Sequence, residues 1–195
     1  MQQIEQHPLA PFLPPHAKLL MLGSFPPPQK RWKMNFYYPN YQNDMWRIFG
    51  LIFFNDRDYF LDLEHKCFYE ARLREFLHEI GVAIHDTAQQ VIRLQGNAAD
   101  KFLHIHQTTD LAALLAHIPA CQHVMTTGDK ATQSLMQSFP EATLKAEIGT
   151  SSQVYFAGRQ LKLHRLPSSS RAYPLPLEQK AKYYAALFRE IGLLK

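Results

Sequence analysis

Most of the side chains that could do chemistry lie in one stretch of the chain, between Leu20 and Trp46. The stretch opens as an apolar run, breaks at Gly23-Ser24 and continues through three consecutive prolines, which have no N–H to donate to a sheet. Open α/β sheets bind ligands in such loops, at the carboxyl end of a strand. The loop offers a hydroxyl, cations, aromatic rings and an amide, which suit phosphates and the faces and edges of nucleic-acid bases. These residues are Ser24, Lys30, Arg31, Trp32, Lys33, Phe36, Tyr37, Tyr38 and Asn43.

Asn43 stands immediately before a predicted helix over residues 44–53. Asparagine is a favoured N-cap, and an aspartate in the first helical turn, here Asp44, suits the helix dipole. Asn43 can therefore be interpreted as a helix cap with no part in chemistry. The turn at residues 23–25 has a similarly plain interpretation as the exit from a strand.

A second polar loop, Ser168-Ser169-Ser170, follows a predicted strand over residues 161–166. Serines in a loop after a strand invite comparison with a hydrolase nucleophile. The chain has no G-x-S-x-G sequence around them, however, and the turn has no evident base, so we reject that role. The hydroxyl groups are more simply explained as caps before the last helix.

Histidine and cysteine residues give weaker signals. His85 and Asp86 end a predicted strand, where neighbouring residues point to opposite faces, so we expect them to shape a pocket floor or to be structural. His104 and His106 have no cysteine or acidic cluster nearby, and no metal site is predicted. The two cysteines, Cys67 and Cys121, cannot supply an iron–sulfur cluster and are expected to be core thiols in a reducing compartment.

Composition bounds the class of protein. With 195 residues, 46% hydrophobic and 19% charged, the chain suits one soluble globular domain with a single core. The net charge of +4 permits a nucleic-acid partner without requiring one. No apolar run reaches membrane-spanning length and the first residues lack a signal-peptide pattern, so a cytoplasmic protein is predicted.

Hydrophobic periodicity predicts alternating strands and helices after a proline-rich arm over residues 1–17. Such alternation indicates an α/β fold, in which helices cover both faces of a mostly parallel sheet. Residues 93–106 show no clear pattern. The predicted strands are 18–22, 82–85, 123–125, 154–156 and 161–166. The predicted helices are 44–53, 62–80, 111–118, 129–139 and 176–191.

Two motifs resemble the uracil-DNA glycosylase superfamily. GSFP at residues 23–26, followed by FYYPNYQNDMW at 36–46, is similar to its first motif, and LPSSSRA at 166–172 is similar to its second. The similarity is closest to the hypoxanthine-DNA glycosylase branch, although Pro27 stands where that branch has glycine. Because the motifs lie near opposite ends of the chain, the resemblance spans most of it. It implies a single domain over residues 1–195, a three-layer α/β/α sandwich around a four-stranded, mostly parallel sheet.

The resemblance implies a monofunctional DNA glycosylase that flips a deaminated base, uracil or hypoxanthine, out of DNA and hydrolyses its N-glycosidic bond, which begins base-excision repair. It implies a monomer that needs no cofactor and no metal. Asn43 would orient the attacking water, the loop at 23–25 and an aromatic ring would hold the base, and the serine loop would grip the DNA. The implied base-binding residues are Gly23, Ser24, Phe25, Phe36, Tyr37 and Tyr38. The implied DNA-binding residues are Lys30, Arg31, Lys33, Pro167, Ser168, Ser169, Ser170, Arg171 and Tyr173.

Two other functions stay open at this point. The chain could be a nucleic-acid-binding module that kept the fold and lost the chemistry, as the change at Pro27 would allow. It could also be a small-molecule hydrolase that works through the serine loop. The sequence does not distinguish uracil from hypoxanthine or xanthine, because these bases offer a carbonyl and a ring N–H to the same donors.

Overall fold

The structure is a computed structural model that describes residues 3–94, 102–140, 142 and 147–194. In chain order the strands are β1 (Ile4–Gln6), β2 (Leu19–Gly23), β3 (Leu61–Asp62), β4 (Cys67–Phe68), β5 (Val82–Asp86), β6 (Ala88–Arg93), β7 (Leu103–Thr108), β8 (His123–Thr127), β9 (Ser151–Phe156) and β10 (Arg159–Leu166). The helices are α1 (Met45–Phe54), α2 (Glu70–Ile80), α3 (Leu111–Ala116), α4 (Asp129–Met136) and α5 (Leu177–Glu190), and a 3₁₀ turn covers Gln29–Arg31.

The central sheet has the strand order β5-β2-β8-β10-β9. The first four strands run parallel, and β9 is antiparallel to β10 at the edge. The α/β class is therefore confirmed, but the predicted number of four strands is wrong. The fifth strand arises because the turn at Ala157-Gly158, where both residues have positive φ, folds residues 151–156 back onto β10.

Helices cover both faces of this sheet, as expected for strands that are apolar on both sides. Every residue of β2 is buried, and successive side chains enter different cores. Leu19 and Met21 pack in a core shared with α1, α2 and α5. Leu20 and Leu22 pack in a second core shared with α3 and α4. The sheet is thus held rigidly between two helical layers, and its strand ends have fixed positions.

The helix predicted over residues 62–80 is wrong in its first third. Residues 61–68 form the β3–β4 hairpin, and α2 begins only at Glu70. The Asp62 carboxylate accepts the backbone N–H of His65 at 3.0 Å and contacts its Nδ1 at 2.8 Å, and Lys66 takes a left-handed φ of 50°. These local bonds replace the helical ones, because an aspartate side chain competes for nearby backbone donors.

The proline-rich arm and the unassigned residues 93–106 contribute to a second sheet. Its order is β1-β6-β7, and all of its pairs are antiparallel. The arm therefore packs on the body as predicted, and Phe12 forms a further bridge to Ile84 of β5. None of the helices in the described ranges is long and apolar enough to cross a membrane.

Candidate active site

A cleft of about 730 Å³ opens at the carboxyl ends of the parallel strands. Gly23 ends β2, Asp86 ends β5 and Thr127 ends β8, and all three line the cleft. The loop after β10 closes the opposite side. Parallel strands end at one edge of their sheet, so residues far apart in sequence meet there. Volumes of this order hold a small ligand or a nucleotide.

The cleft brings together most of the predicted site residues. The lining includes Gly23, Ser24, Phe25, Arg31, Tyr37, Tyr38, Asn43, Ser168, Ser169, Ser170, Arg171 and Tyr173. The remaining predicted residues lie elsewhere. Phe36 is 1% exposed and packs with Trp46 in the core, so it is not available to a ligand in the cleft. Pro167 accepts the Tyr184 hydroxyl through its carbonyl, whereas Lys30 and Lys33 are exposed outside the cleft.

Asn43 is half-buried in the cleft wall, and its side chain caps α1. Its Oδ1 accepts the backbone N–H of Met45, the first residue of the helix, at 2.9 Å. The predicted capping role is therefore confirmed. Because the amide oxygen faces the helix, the amide N–H groups remain as donors. Within the described residues they have no protein partner.

Asp44 joins the two motifs. It is 6% exposed, its backbone N–H donates to the Ser169 carbonyl at 2.9 Å, and its Oδ1 accepts from Arg171 Nε at 3.0 Å. Its Oδ2 lies 3.3 Å from Lys180 Nζ. Lys180, on α5, is 1% exposed and also donates to the Ser170 carbonyl at 2.7 Å. One buried network thus fixes the start of α1 against the serine loop.

Asp86 forms part of the cleft floor and is held from behind by the arm. Its Oδ2 lies 2.9 Å from Nε2 of His7, whose side chain is fully buried. An ionised carboxylate only accepts hydrogen bonds, so Nε2–H of His7 donates. A side chain at Gly23 would overlap the Asp86 carboxylate and stand 3.2 Å from the Tyr38 hydroxyl, so glycine is required there by close approach. The prediction that Asp86 shapes the pocket floor is confirmed.

Tyr37 and His85 form a neutral pair behind this floor. The Tyr37 hydroxyl donates to the Ala10 carbonyl at 3.0 Å and therefore accepts from Nδ1–H of His85 at 2.7 Å. Burial, reinforced by the charge of His7, lowers the pKa of His85 to about 4. Burial also raises the pKa of Tyr37 far above its usual value. Both side chains are uncharged at neutral pH, and they support the cleft without titrating.

Two other aromatic rings reach the cleft. Phe25 is half-buried, with its ring 5.3 Å from that of His7 in an edge-on arrangement and 5.5 Å from the Arg93 guanidinium. Tyr38 adopts a left-handed φ of 52°, which is uncommon for a residue with a Cβ, and its hydroxyl lies 3.0 Å from Thr127 Oγ1. The consecutive aromatics therefore separate by role, with Phe36 in the core and Tyr37 and Tyr38 at the cleft.

The serine loop has turn geometry rather than nucleophile geometry. Ser168 Oγ accepts the backbone N–H of Ser170, and Ser170 Oγ accepts that of Ala172, each at 3.2 Å. In the part of the chain that the structure describes, neither hydroxyl is hydrogen-bonded to a histidine or carboxylate that could act as its base. The small-molecule hydrolase hypothesis therefore gains no support from the contacts of these serines.

No protein-family model matches the chain, and no curated protein matches it in sequence. A solved structure is nevertheless similar over nearly the whole chain. It is the solution NMR structure of a "putative Uracil DNA glycosylase" from Methanosarcina acetivorans. The TM-score is 0.62 at 19% identity, and the match covers 97% of this chain and 99% of that chain. The two chains share a fold. At this identity the similarity establishes the fold alone, and the activity must be argued from the site.

Sequence reasoning missed Lys180, His7 and the binding partners of Asp44 and Asp86. A lysine beside the apolar face of a predicted helix was the available signal for Lys180. The pairing of this lysine with an aspartate more than a hundred residues away has no counterpart in local sequence pattern.

Proposed function

We propose that the chain is a monofunctional DNA glycosylase, which hydrolyses the N-glycosidic bond of uracil or hypoxanthine flipped out of DNA and so begins base-excision repair. One observation carries this proposal: residues 23–43 and 168–173 converge on a single cleft, where an amide donor, a carboxylate, aromatic rings and cations face the same space. This set matches a nucleotide, which combines a base, a sugar and a phosphate.

The floor of the cleft would bind the base. The Asp86 carboxylate accepts the ring N–H that uracil and hypoxanthine both carry, and His7 keeps the carboxylate in place. Backbone N–H groups in the turn at residues 23–25 donate to a base carbonyl. Negative charge builds on the departing base, and fixed donors of this kind are worth about 2.7–4 kcal/mol each in other enzymes. Phe25 provides the stacking face, which is worth about 1–3 kcal/mol per base.

Asn43 would position the attacking water through its amide N–H groups, while its oxygen caps α1. A departing base leaves a sugar with oxocarbenium character, and such an electrophile requires little activation of the nucleophile. A neutral amide is therefore sufficient. Because the cap fixes the side chain, the two roles support each other.

The rim would grip the DNA backbone. Arg31 and Arg171 line the cleft on the sides of the first and second motifs, and the serine loop presents hydroxyls and Tyr173 beside them. Extruding a base costs a few kcal/mol and least at a mismatch. Deaminated bases are mispaired with their old partners, so flipping itself favours them.

A glycosylase assay tests the proposal. Duplexes with one uracil, hypoxanthine or xanthine, and a matched undamaged duplex, are incubated with the protein and then cleaved with alkali at abasic sites. Strand cleavage at one or more damaged positions, with no borohydride-trapped protein–DNA adduct, is expected. A protein that binds these duplexes without releasing a base is a binding module instead, and a trapped adduct contradicts the monofunctional mechanism.

A further inference from the structure

A second depression, of about 430 Å³, lies beside the cleft. We call it the side groove. Three residues, Arg31, Asn40 and Gln42, line both the cleft and the side groove, so the two are continuous. The full lining of the side groove is Arg31, Lys33, Asn40, Tyr41, Gln42 and Lys66.

The side groove concentrates positive charge that nothing neutralises. Arg31, Lys33 and Lys66 are all exposed, and no carboxylate is among its lining residues. Elsewhere in the described chain, carboxylates pair with many of the cations, but these three make no ion pair there. The paired cations are Arg57, Arg74, Arg93, Lys162, Arg165, Arg171 and Lys180.

Local hydrogen bonds fix the walls of the side groove. Trp32 Nε1 donates to the Pro27 carbonyl at 2.7 Å, and the backbone N–H of Lys33 donates to the Pro39 carbonyl at 2.9 Å. These bonds hold the first wall. Lys66 stands on the other, in the turn of the β3–β4 hairpin, which the Asp62 carboxylate closes. The cations are therefore presented on ordered turns.

We propose that the side groove binds the phosphodiester backbone of the DNA strand that flanks the flipped nucleotide, and that Lys66 contacts a phosphate. The choice of DNA as ligand rests on the proposed function. Lysine binds phosphate as a point charge, and arginine adds a planar fork of donors. The side-chain amides of Asn40 and Gln42 can donate to phosphate oxygens between the cations. A strand can pass from the cleft to the side groove without leaving the protein surface, because Arg31 belongs to both.

Binding of fluorescein-labelled, undamaged duplex DNA, measured over a series of salt concentrations, tests this site. Removing one phosphate contact lowers the steepness of log K against log salt by about 0.9 on duplex DNA. Lys66→Gln should therefore reduce the slope by about one contact, and Lys66→Arg should retain it. Lys33→Gln with Lys66→Gln should remove about two. Lys18→Gln is the matched control, because Lys18 is exposed at the opposite end of β2 and should leave the slope unchanged.

The results separate this proposal from the proposed function, since undamaged DNA is bound whether or not a base is released. A protein inactive on every damaged duplex, but with the slope changes above, retains the side groove and loses the glycosylase assignment. An unchanged slope in Lys66→Gln overturns the side groove as a phosphate site. An equal change in Lys18→Gln also overturns it, since the effect would then be one of net charge.

Discussion

Replacing Lys180 with methionine tests the buried network that joins the two halves of the cleft. Methionine retains much of the length and packing of the side chain and removes its charge. Without the ammonium group, Asp44 Oδ2 and the Ser170 carbonyl are each deprived of a donor. Arg171 would remain as a partner of Asp44, but 48% of its side chain is exposed. Water therefore screens that remaining pair more than it screens the one with Lys180.

The expected destabilisation follows from the burial of the pair. Removing one partner of a buried ion pair typically costs about 3–5 kcal/mol, because the other charge is left uncompensated. Since Arg171 still contacts Asp44, we expect the lower end, about 3 kcal/mol. For a chain of this size each kcal/mol lowers the melting temperature by about 2–4 °C, so a decrease of roughly 6–12 °C is expected.

Denaturant unfolding of a double-mutant cycle measures this coupling. Asp44→Asn in the Lys180→Met background removes the uncompensated charge, so the double variant should be more stable than the sum of the single effects, by about 1–3 kcal/mol. Lys182→Met, an exposed change on the same helix, is the control and should stay within about 0.5 kcal/mol of the parent. If Lys180→Met matches Lys182→Met, or if the two site changes are additive, the network does not hold the loops.

Other predictions concern the floor, the buried imidazole and the rim. Gly23→Ala should cost about 1–3 kcal/mol in the free energy of unfolding and abolish base release, because the methyl group displaces the Asp86 carboxylate; full activity would refute the close approach. The pKa of His85 is about 4 in the folded chain, below its unfolded value, so the unfolded chain binds more protons between pH 6.5 and 4. Stability should fall as the pH is lowered across this window, by at most about 3 kcal/mol from this ring, and a His85→Gln variant with an unchanged pH profile would contradict the assignment. Arg31→Gln with Arg171→Gln should flatten the salt dependence of DNA binding by about 0.9 log units per contact per decade, and an unchanged slope would move DNA to another face.

The parts of the site that local sequence could predict are the contiguous ones. Residues 23–26 and 166–172 form turns whose composition is sufficient to identify them, and Asn43 could be predicted to cap α1 because capping involves residues two or three apart. Alternation of apolar segments was also sufficient for the α/β class, since a parallel sheet needs helices on both faces.

The parts that could not be predicted depend on distant partners or on small local competitions. Nothing near Asp86 in sequence indicates that His7 holds it, and the orientation of Phe36 away from the cleft is decided by core packing around Trp46. Residues 63–66 have the charged composition of an exposed helix. The side chain of Asp62 nevertheless closes a hairpin there.

The most direct test of the central claim is the single-turnover rate of base release by Asn43→Ser, compared with its thermal stability. Serine can cap α1 in place of asparagine, so stability should stay close to that of the parent, whereas Asn43→Ala should be less stable by about 0.5–2 kcal/mol. If the amide positions the attacking water, the serine variant should bind damaged DNA normally and release the base slower by orders of magnitude. A serine variant that regains both stability and the parental rate would show that Asn43 is only a cap, and would contradict the proposed mechanism.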